Sequence, residues 1–136
     1  MRRTVAIAIL AAVLLPADRV LAKDKASFID GSYATEEGCA KLKALAAGTP
    51  RSVETVPEVL TAEGFKGWEG SCEFTKIYEH DPGKSWVAVL FCVEGATMTP
   101  LTYAFARNDD GTIEVGGGSE PEPELFRKCD AGGEKK

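Results

Sequence analysis

Four cysteines constrain what this chain can fold into more than any other feature of its sequence. No Cys-x-x-Cys pair occurs among them, since they stand at Cys39, Cys72, Cys92 and Cys129. Zinc knuckles and thioredoxin-type redox sites therefore lack their usual signature. In a short exported chain, an even number of cysteines is typical of structural disulfides, and four cysteines allow three pairings.

The N-terminus predicts that the chain is exported. A cationic start, Met1-Arg2-Arg3, precedes an apolar run over residues 4–15, and Val20 and Ala22 occupy the two positions that a signal peptidase inspects. The apolar run is shorter than the roughly 20 residues that span a bilayer as a helix. We therefore expect a signal peptide at 1–22, cleaved after Ala22, and no membrane anchor after processing. The mature protein would be periplasmic or secreted.

Removal of that peptide makes the chain more acidic. The full sequence carries 16 basic and 21 acidic side chains, and residues 23–136 keep 13 and 20 of them, for a net charge of −7. Nucleic acids and anionic membrane surfaces attract clustered lysine and arginine, so neither is an expected partner. The length is that of one domain. We expect a single disulfide-bonded β-rich domain over 23–136, with a disordered tail at about 131–136.

The turn signal Asp81-Pro82-Gly83 predicts a β-hairpin. Both flanking segments are rich in β-branched and aromatic residues, proline presets φ, and glycine supplies a positive φ. An odd loop centred on Pro82 sets Cys72 opposite Cys92. The same register opposes two further pairs on one face of the sheet, Phe74 with Leu90 and Tyr78 with Trp86.

A competing register gives a different answer for the cysteines. A two-residue loop of Pro82 and Gly83 would shift the pairing by one residue and send Cys72 and Cys92 to opposite faces. That turn suits the twist of a hairpin poorly, so we favour the odd loop. The favoured disulfides are therefore Cys72–Cys92 and, by remainder, Cys39–Cys129.

The rest of the chain predicts a mainly β (α+β) fold. Further strands are expected at 56–61, 101–106 and 112–115, from their apolar patterns and the turn residues between them. One short N-terminal helix is expected to begin after the N-cap Thr35 and to end at 48–50. We predict a twisted antiparallel sheet of five or six strands with two disulfides, and leave open whether it closes into a small barrel.

The segment over 86–92 is apolar on both faces. Such a strand is expected to lie centrally and to be covered on both sides, by the helix or by a curled sheet. On that expectation the substitution Phe91→Ala costs about 3–5 kcal/mol, as for a buried phenylalanine.

Four short motifs resemble a known group of exported proteins. They are Gly31-Ser32-Tyr33-Ala34-Thr35 before Cys39, the stretch GFKGWEGSC at 64–72, a strand ending at Cys92, and Leu125-Phe126-Arg127-Lys128-Cys129. Together they resemble small exported four-cysteine uncharacterised proteins of α-proteobacteria. The resemblance implies a periplasmic β-rich module and no activity. A weaker similarity, of size, class and compartment only, is to periplasmic inhibitors of proteases and lysozymes.

Residues that could carry catalysis are few. His80 is the sole histidine and adjoins the Asp81-Pro82 turn, where a solvated hairpin residue is expected. Paired cysteines leave no thiolate nucleophile. We therefore predict no catalytic residue, no metal site and no cofactor, and a protein that is not an enzyme.

Two exposed segments are candidate binding surfaces. The stretch 116–124 (GGGSEPEPE) resists regular structure, so it is either a solvated connection or an acidic contact loop. Its contact residues would be Glu120, Glu122 and Glu124. In the segment 94–100, Met98 would be an apolar tip.

Two functions remain in competition. The favoured one is a non-catalytic binding or inhibitor-like module whose partner is a periplasmic or extracellular protein, with a cationic target favoured by the acidic charge. The alternative is a small-ligand carrier, if the sheet closes around an apolar pocket beside Trp68, Trp86 and Tyr103.

Overall fold

The computed structural model describes residues 23–48, 56–68 and 70–130. The predicted signal peptide at 1–22 and the predicted tail at 131–136 lie outside these ranges. Within them the chain forms one helix and eight strands: β1 Tyr33–Ala34, α1 Glu36–Ala46, β2 Val59–Thr61, β3 Gly64–Lys66, β4 Gly70–Asp81, β5 Ser85–Glu94, β6 Thr97–Arg107, β7 Ile113–Gly117 and β8 Glu120–Lys128.

The eight strands form a closed antiparallel barrel in chain order. Each strand pairs with the next, and β1 closes the barrel by pairing Tyr33 with Lys128 and Ala34 with Arg127 on β8. The predicted mainly β fold, short helix and two disulfides are confirmed. The count of five or six strands was too low. The predicted strand at 56–61 corresponds to β2, but β1 and β3 have only two or three residues each and show no strand pattern of their own.

The β4–β5 hairpin has the predicted cysteine register. Cys72 lies opposite Cys92 and the two are bonded, with Cα atoms 3.9 Å apart. The loop between the strands has three residues, so its odd length is as predicted, but it is centred on Gly83 and not on Pro82. The predicted pairing of Tyr78 with Trp86 is wrong, because Glu79 faces Trp86. β4 has 12 residues against 10 in β5, and two register shifts absorb the difference before the turn.

The helix α1 packs on the side of the barrel formed by β1 and β8. Thr35 caps it as predicted, accepting a hydrogen bond from the Gly38 N–H at 3.1 Å. Cys39 is bonded to Cys129 just after β8, with Cα atoms 5.2 Å apart. The helix contacts mainly β1 and β8. It therefore covers no part of β5, whose outward-facing Phe91 is 42% exposed. The expectation that β5 is covered on both faces is wrong for its outer face.

Aromatic side chains fill the interior of the barrel. Phe74 and Phe105 are buried with ring centroids 5.7 Å apart, and Phe105 also packs against Phe65 at 6.2 Å. The segment before β1 closes one end, because Phe28 enters the barrel and stacks on Trp86 at 4.1 Å. Arg107 holds that segment by donating a hydrogen bond to the Phe28 carbonyl oxygen. One end of the barrel is thus plugged.

Pro100 occupies a strand position whose backbone faces an unpaired edge. The Gly118 N–H donates to the Thr102 oxygen at 3.0 Å, so the backbone groups of Thr102 face β7. Because backbone groups alternate along a strand, those of Pro100 face the same side. There β7 has already ended, since its last pair is Tyr103 with Gly117. A proline at position 100 therefore costs no ladder hydrogen bond, and it leaves no unpaired N–H on the part of β6 that extends beyond β7.

Candidate functional site

The end of the barrel opposite Phe28 carries a groove of about 660 Å³, which we call the mouth. It lies where β3, β5 and β7 end and where β4, β6 and β8 begin. Its floor contains the buried Phe65, the half-buried Tyr103 and the Cys72–Cys92 disulfide. Its rim carries exposed residues from four different segments of the chain: Glu58, Trp68, Glu94 and Glu120.

Trp68 stands on the turn between β3 and β4. The Gly67 N–H donates to the Gly70 oxygen at 3.0 Å and closes this turn. Gly70 has no room for a side chain, since a Cβ there would lie 2.3 Å from the Val93 oxygen. The turn is therefore held against β5, while the Trp68 side chain remains 64% exposed. A large aromatic ring exposed to this degree is a candidate binding residue.

The carboxylates at the mouth influence one another. The pKa of Glu58 is raised, first by desolvation of its carboxyl group beside the groove and then by the negative charges of Glu124 and Glu120. Burial also raises the pKa of Tyr103, with Glu58 and Glu120 adding to the effect. Three carboxyl groups, those of Glu58, Glu120 and Glu124, thus interact at one end of the barrel, beside the neutral hydroxyl of Tyr103.

The described acidic residues fall into two groups: some form ion pairs, and others, Glu114 and Glu122 as well as those at the mouth, do not. Six acidic residues elsewhere form ion pairs, namely Asp24, Asp30, Glu36, Glu37, Glu63 and Glu73. Among the residues that the structure describes, no basic side chain pairs with Glu58, Glu94 or Glu120. The mouth is therefore an uncompensated negative site.

Two of the three residues predicted to line a pocket lie together. Trp68 and Tyr103 both line the mouth, and Tyr103 packs on Phe65 with ring centroids 5.1 Å apart. Trp86 does not join them, because it is buried at the plugged end against Phe28. The alternation of β5 turns Trp86 inward, towards the segment that closes the barrel.

The acidic stretch 116–124 is not a loop. β7 runs to Gly117 and β8 begins at Glu120, so the stretch forms a hairpin with Gly118 and Ser119 at its tip. Glu120 lines the mouth, and Glu124 is near enough to Glu58 to raise its pKa. The mouth lining does not include Glu122.

Met98 likewise lies on a strand instead of a loop. The segment 94–100 divides into the end of β5 and the start of β6, with Gly95 and Ala96 between them. Met98 pairs with Val93, a residue of the mouth, and is 66% exposed. Its predicted apolar exposure is present, beside the mouth.

No family model, curated protein or solved structure matches this chain. Within the described ranges, no three acidic, histidine or cysteine side chains are grouped as metal ligands. Over the same part of the chain, no helix has the length and apolar character to cross a membrane. His80 is exposed next to the hairpin turn, where the Ser85 hydroxyl donates to Asp81 at 3.4 Å.

The mouth combines two kinds of group that bind cations. The faces of Trp and Tyr rings attract ammonium and guanidinium groups, and carboxylates pair with them. Glu58 and Phe65 were not among the predicted site residues. Their contribution depends on interactions with residues 38 to 66 positions away, for which the local sequence offers no signal.

Proposed function

We propose that this protein is a non-catalytic periplasmic binding module, inhibitor-like in character, that recognises a cationic protein through the mouth of its barrel. One observation carries the proposal: carboxylates with no basic partner among the described residues line the same groove as the exposed ring of Trp68, at the barrel end opposite Phe28. Because neighbouring negative charges repel one another, the binding of a positively charged group at the mouth relieves this repulsion and is favourable.

The scaffold supports this proposal by its rigidity. The Cys72–Cys92 disulfide forms part of the mouth floor, and the packed aromatic core lies beneath it. A preformed site loses less conformational entropy on binding than a mobile one. Two disulfides also fit an oxidising compartment such as the periplasm, to which the predicted signal peptide would direct the chain.

A small-ligand carrier is the second candidate. It is favoured by the volume of the mouth, about 660 Å³, which lies within the range of about 300–1,000 Å³ usual for ligand pockets. It is disfavoured by the packed aromatic side chains that occupy the interior, since they leave the ligand only the outer end. A carrier of this kind would hold a small cation at the rim.

Capture experiments at two salt concentrations test the proposed function. The oxidised exported protein is immobilised, and periplasmic extract is applied at low and at high salt. We expect a basic protein to be retained at low salt and released at high salt, because exposed charges are screened beyond about 10 Å at 0.1 M salt. Association and dissociation rates of the captured protein are then measured.

Matched variants locate the contact. Trp68→Ala should abolish capture, whereas Leu125→Ala should not, since Leu125 is similarly exposed but lies on the outer wall of β8. The double variant Glu120→Gln/Glu124→Gln should slow association, and Glu122→Gln should leave it nearly unchanged. A captured partner that binds Trp68→Ala as tightly as the parent would show that the mouth is not the binding surface.

A further inference from the structure

Carboxylates and aromatic rings line the mouth together, and this combination selects among possible cationic groups. Glu58 lies just before β2 and Glu120 begins β8, and both act electrostatically on the half-buried Tyr103. Trp68 projects from the neighbouring turn with most of its ring exposed. A group that fits here must satisfy carboxylates and also cover ring faces.

Arginine meets both requirements better than lysine. Its guanidinium group is planar, stacks on aromatic faces and donates hydrogen bonds in a fork that matches carboxylates. An ammonium group is more strongly hydrated and has no plane to stack. The apolar stem of the side chain would lie along Phe65, Leu101 and Val93, which also line the groove.

We propose that the mouth is an arginine-binding site, in which one arginine side chain of the partner stacks on Trp68 and Tyr103 and pairs with Glu58 and Glu120. The inference rests on the proposed function, since it names the chemical group by which the partner is held. The carboxylates at the mouth have no basic partner among the described residues, and Glu120 acts on Glu58 by charge repulsion. An arginine bound there would replace this repulsion with attraction to both carboxylates.

A small arginine probe tests the site without any partner. Nα-acetyl-argininamide is titrated into the oxidised exported protein, and backbone amide and indole N–H chemical shifts are followed by NMR. The matched control is Nα-acetyl-citrullinamide, which keeps the shape and hydrogen-bonding edge but carries no charge. The lysine analogue, Nα-acetyl-lysinamide, is titrated in parallel.

We expect saturable shifts with the arginine probe, confined to Trp68, Tyr103, Glu58 and Glu120 and their strand neighbours. The lysine probe should bind more weakly, and the citrulline probe should produce no saturable shift. Glu58→Gln should weaken the arginine probe by about twofold to fivefold, as expected for a solvent-accessible ion pair, whereas Glu122→Gln should not change its affinity. Amide spectra of both variants away from the mouth should match that of the parent, as evidence that they fold.

Different failures have different meanings. Equal binding of the arginine and citrulline probes, or shifts located away from the mouth, would overturn the arginine site. If a protein is captured through Trp68 but the arginine probe does not compete with it, the arginine site is wrong and the proposed function stands. If the probe binds but no protein is captured, the arginine site stands and the carrier becomes the better account.

Discussion

At the scale of the residue, the contribution of an aromatic side chain to stability depends on which face of its strand it occupies. Phe74 and Phe91 belong to the same hairpin, but Phe74 is 0% exposed inside the barrel and Phe91 is 42% exposed outside it. The two tryptophans divide in the same way, with Trp86 buried at the plugged end and Trp68 exposed at the mouth. Local sequence identified these residues as apolar, but only barrel closure determined which of them were covered.

Truncation of the two phenylalanines should therefore have unequal effects. Phe74→Ala is expected to lower the free energy of unfolding by about 3–5 kcal/mol, as for a fully buried phenylalanine. Phe91→Ala should cost about 1 kcal/mol or less, because much of the ring is already in water. Denaturant unfolding of both variants measures the difference. Equal losses would mean that the outer face of β5 is covered in solution.

The titration of Glu58 provides a second test at this scale. Its pKa is raised in the folded protein by desolvation and by Glu124 and Glu120, so its ionised form is disfavoured there. Its stabilising contribution is therefore complete below the unfolded pKa and is lost as the pH rises through the folded pKa. We expect Glu58→Gln to be at least as stable as the parent at pH 7, with the advantage shrinking at pH 4. Thermal unfolding at both pH values measures this, and a parent that is the more stable at pH 7 would contradict it.

At the scale of the element, the hairpins differ in how far the sequence predicts them. The β4–β5 hairpin is predictable as an element because a turn signal separates two strand-like segments. Its register near the turn is not predictable, since the loop is centred on Gly83 and two register shifts restore the predicted Cys72–Cys92 pair. The two bulges in β4 are not predictable, since they depend on the twist needed to close the barrel. The β7–β8 hairpin was missed because its prolines and glycines oppose strand formation locally. In the barrel the ladder from Glu120 to Lys128 offsets that preference.

The helix should behave as an element that one disulfide secures. It buries only Gly38 among its own residues, and its contacts are mainly with the short β1 and with β8. In the variant Cys39→Ala/Cys129→Ala we expect amide hydrogens of α1 to exchange much faster than those of β4 and β5. The global free energy of unfolding should also fall, by up to about 5 kcal/mol, because the released loop is long. Retained protection of α1 relative to β5 would indicate docking that does not need the disulfide.

At the scale of the whole molecule, the barrel brings together groups that are distant in the chain. Closure depends on two residue pairs between β1 and β8, and nothing in those short segments predicts it. The segment at Phe28 plugs one end, so the other end becomes the surface where Glu58, Trp68, Tyr103 and Glu120 meet. The sequence supplied candidate residues, Trp68, Tyr103 and the acidic stretch among them. Their assembly into one site required the closed fold.

The pKa of Glu58, measured by NMR in the free protein and with saturating Nα-acetyl-argininamide, tests the central claim most directly. The free carboxyl group should titrate above the range of an exposed glutamate, because desolvation and its acidic neighbours disfavour the ionised form. With the probe bound, the guanidinium group should stabilise the carboxylate, so the pKa should fall. The same probe should leave the backbone amide shift of Glu122, which does not line the mouth, unchanged. A Glu58 pKa that does not move when the probe binds would contradict the account, because the cation would then be bound somewhere other than the mouth.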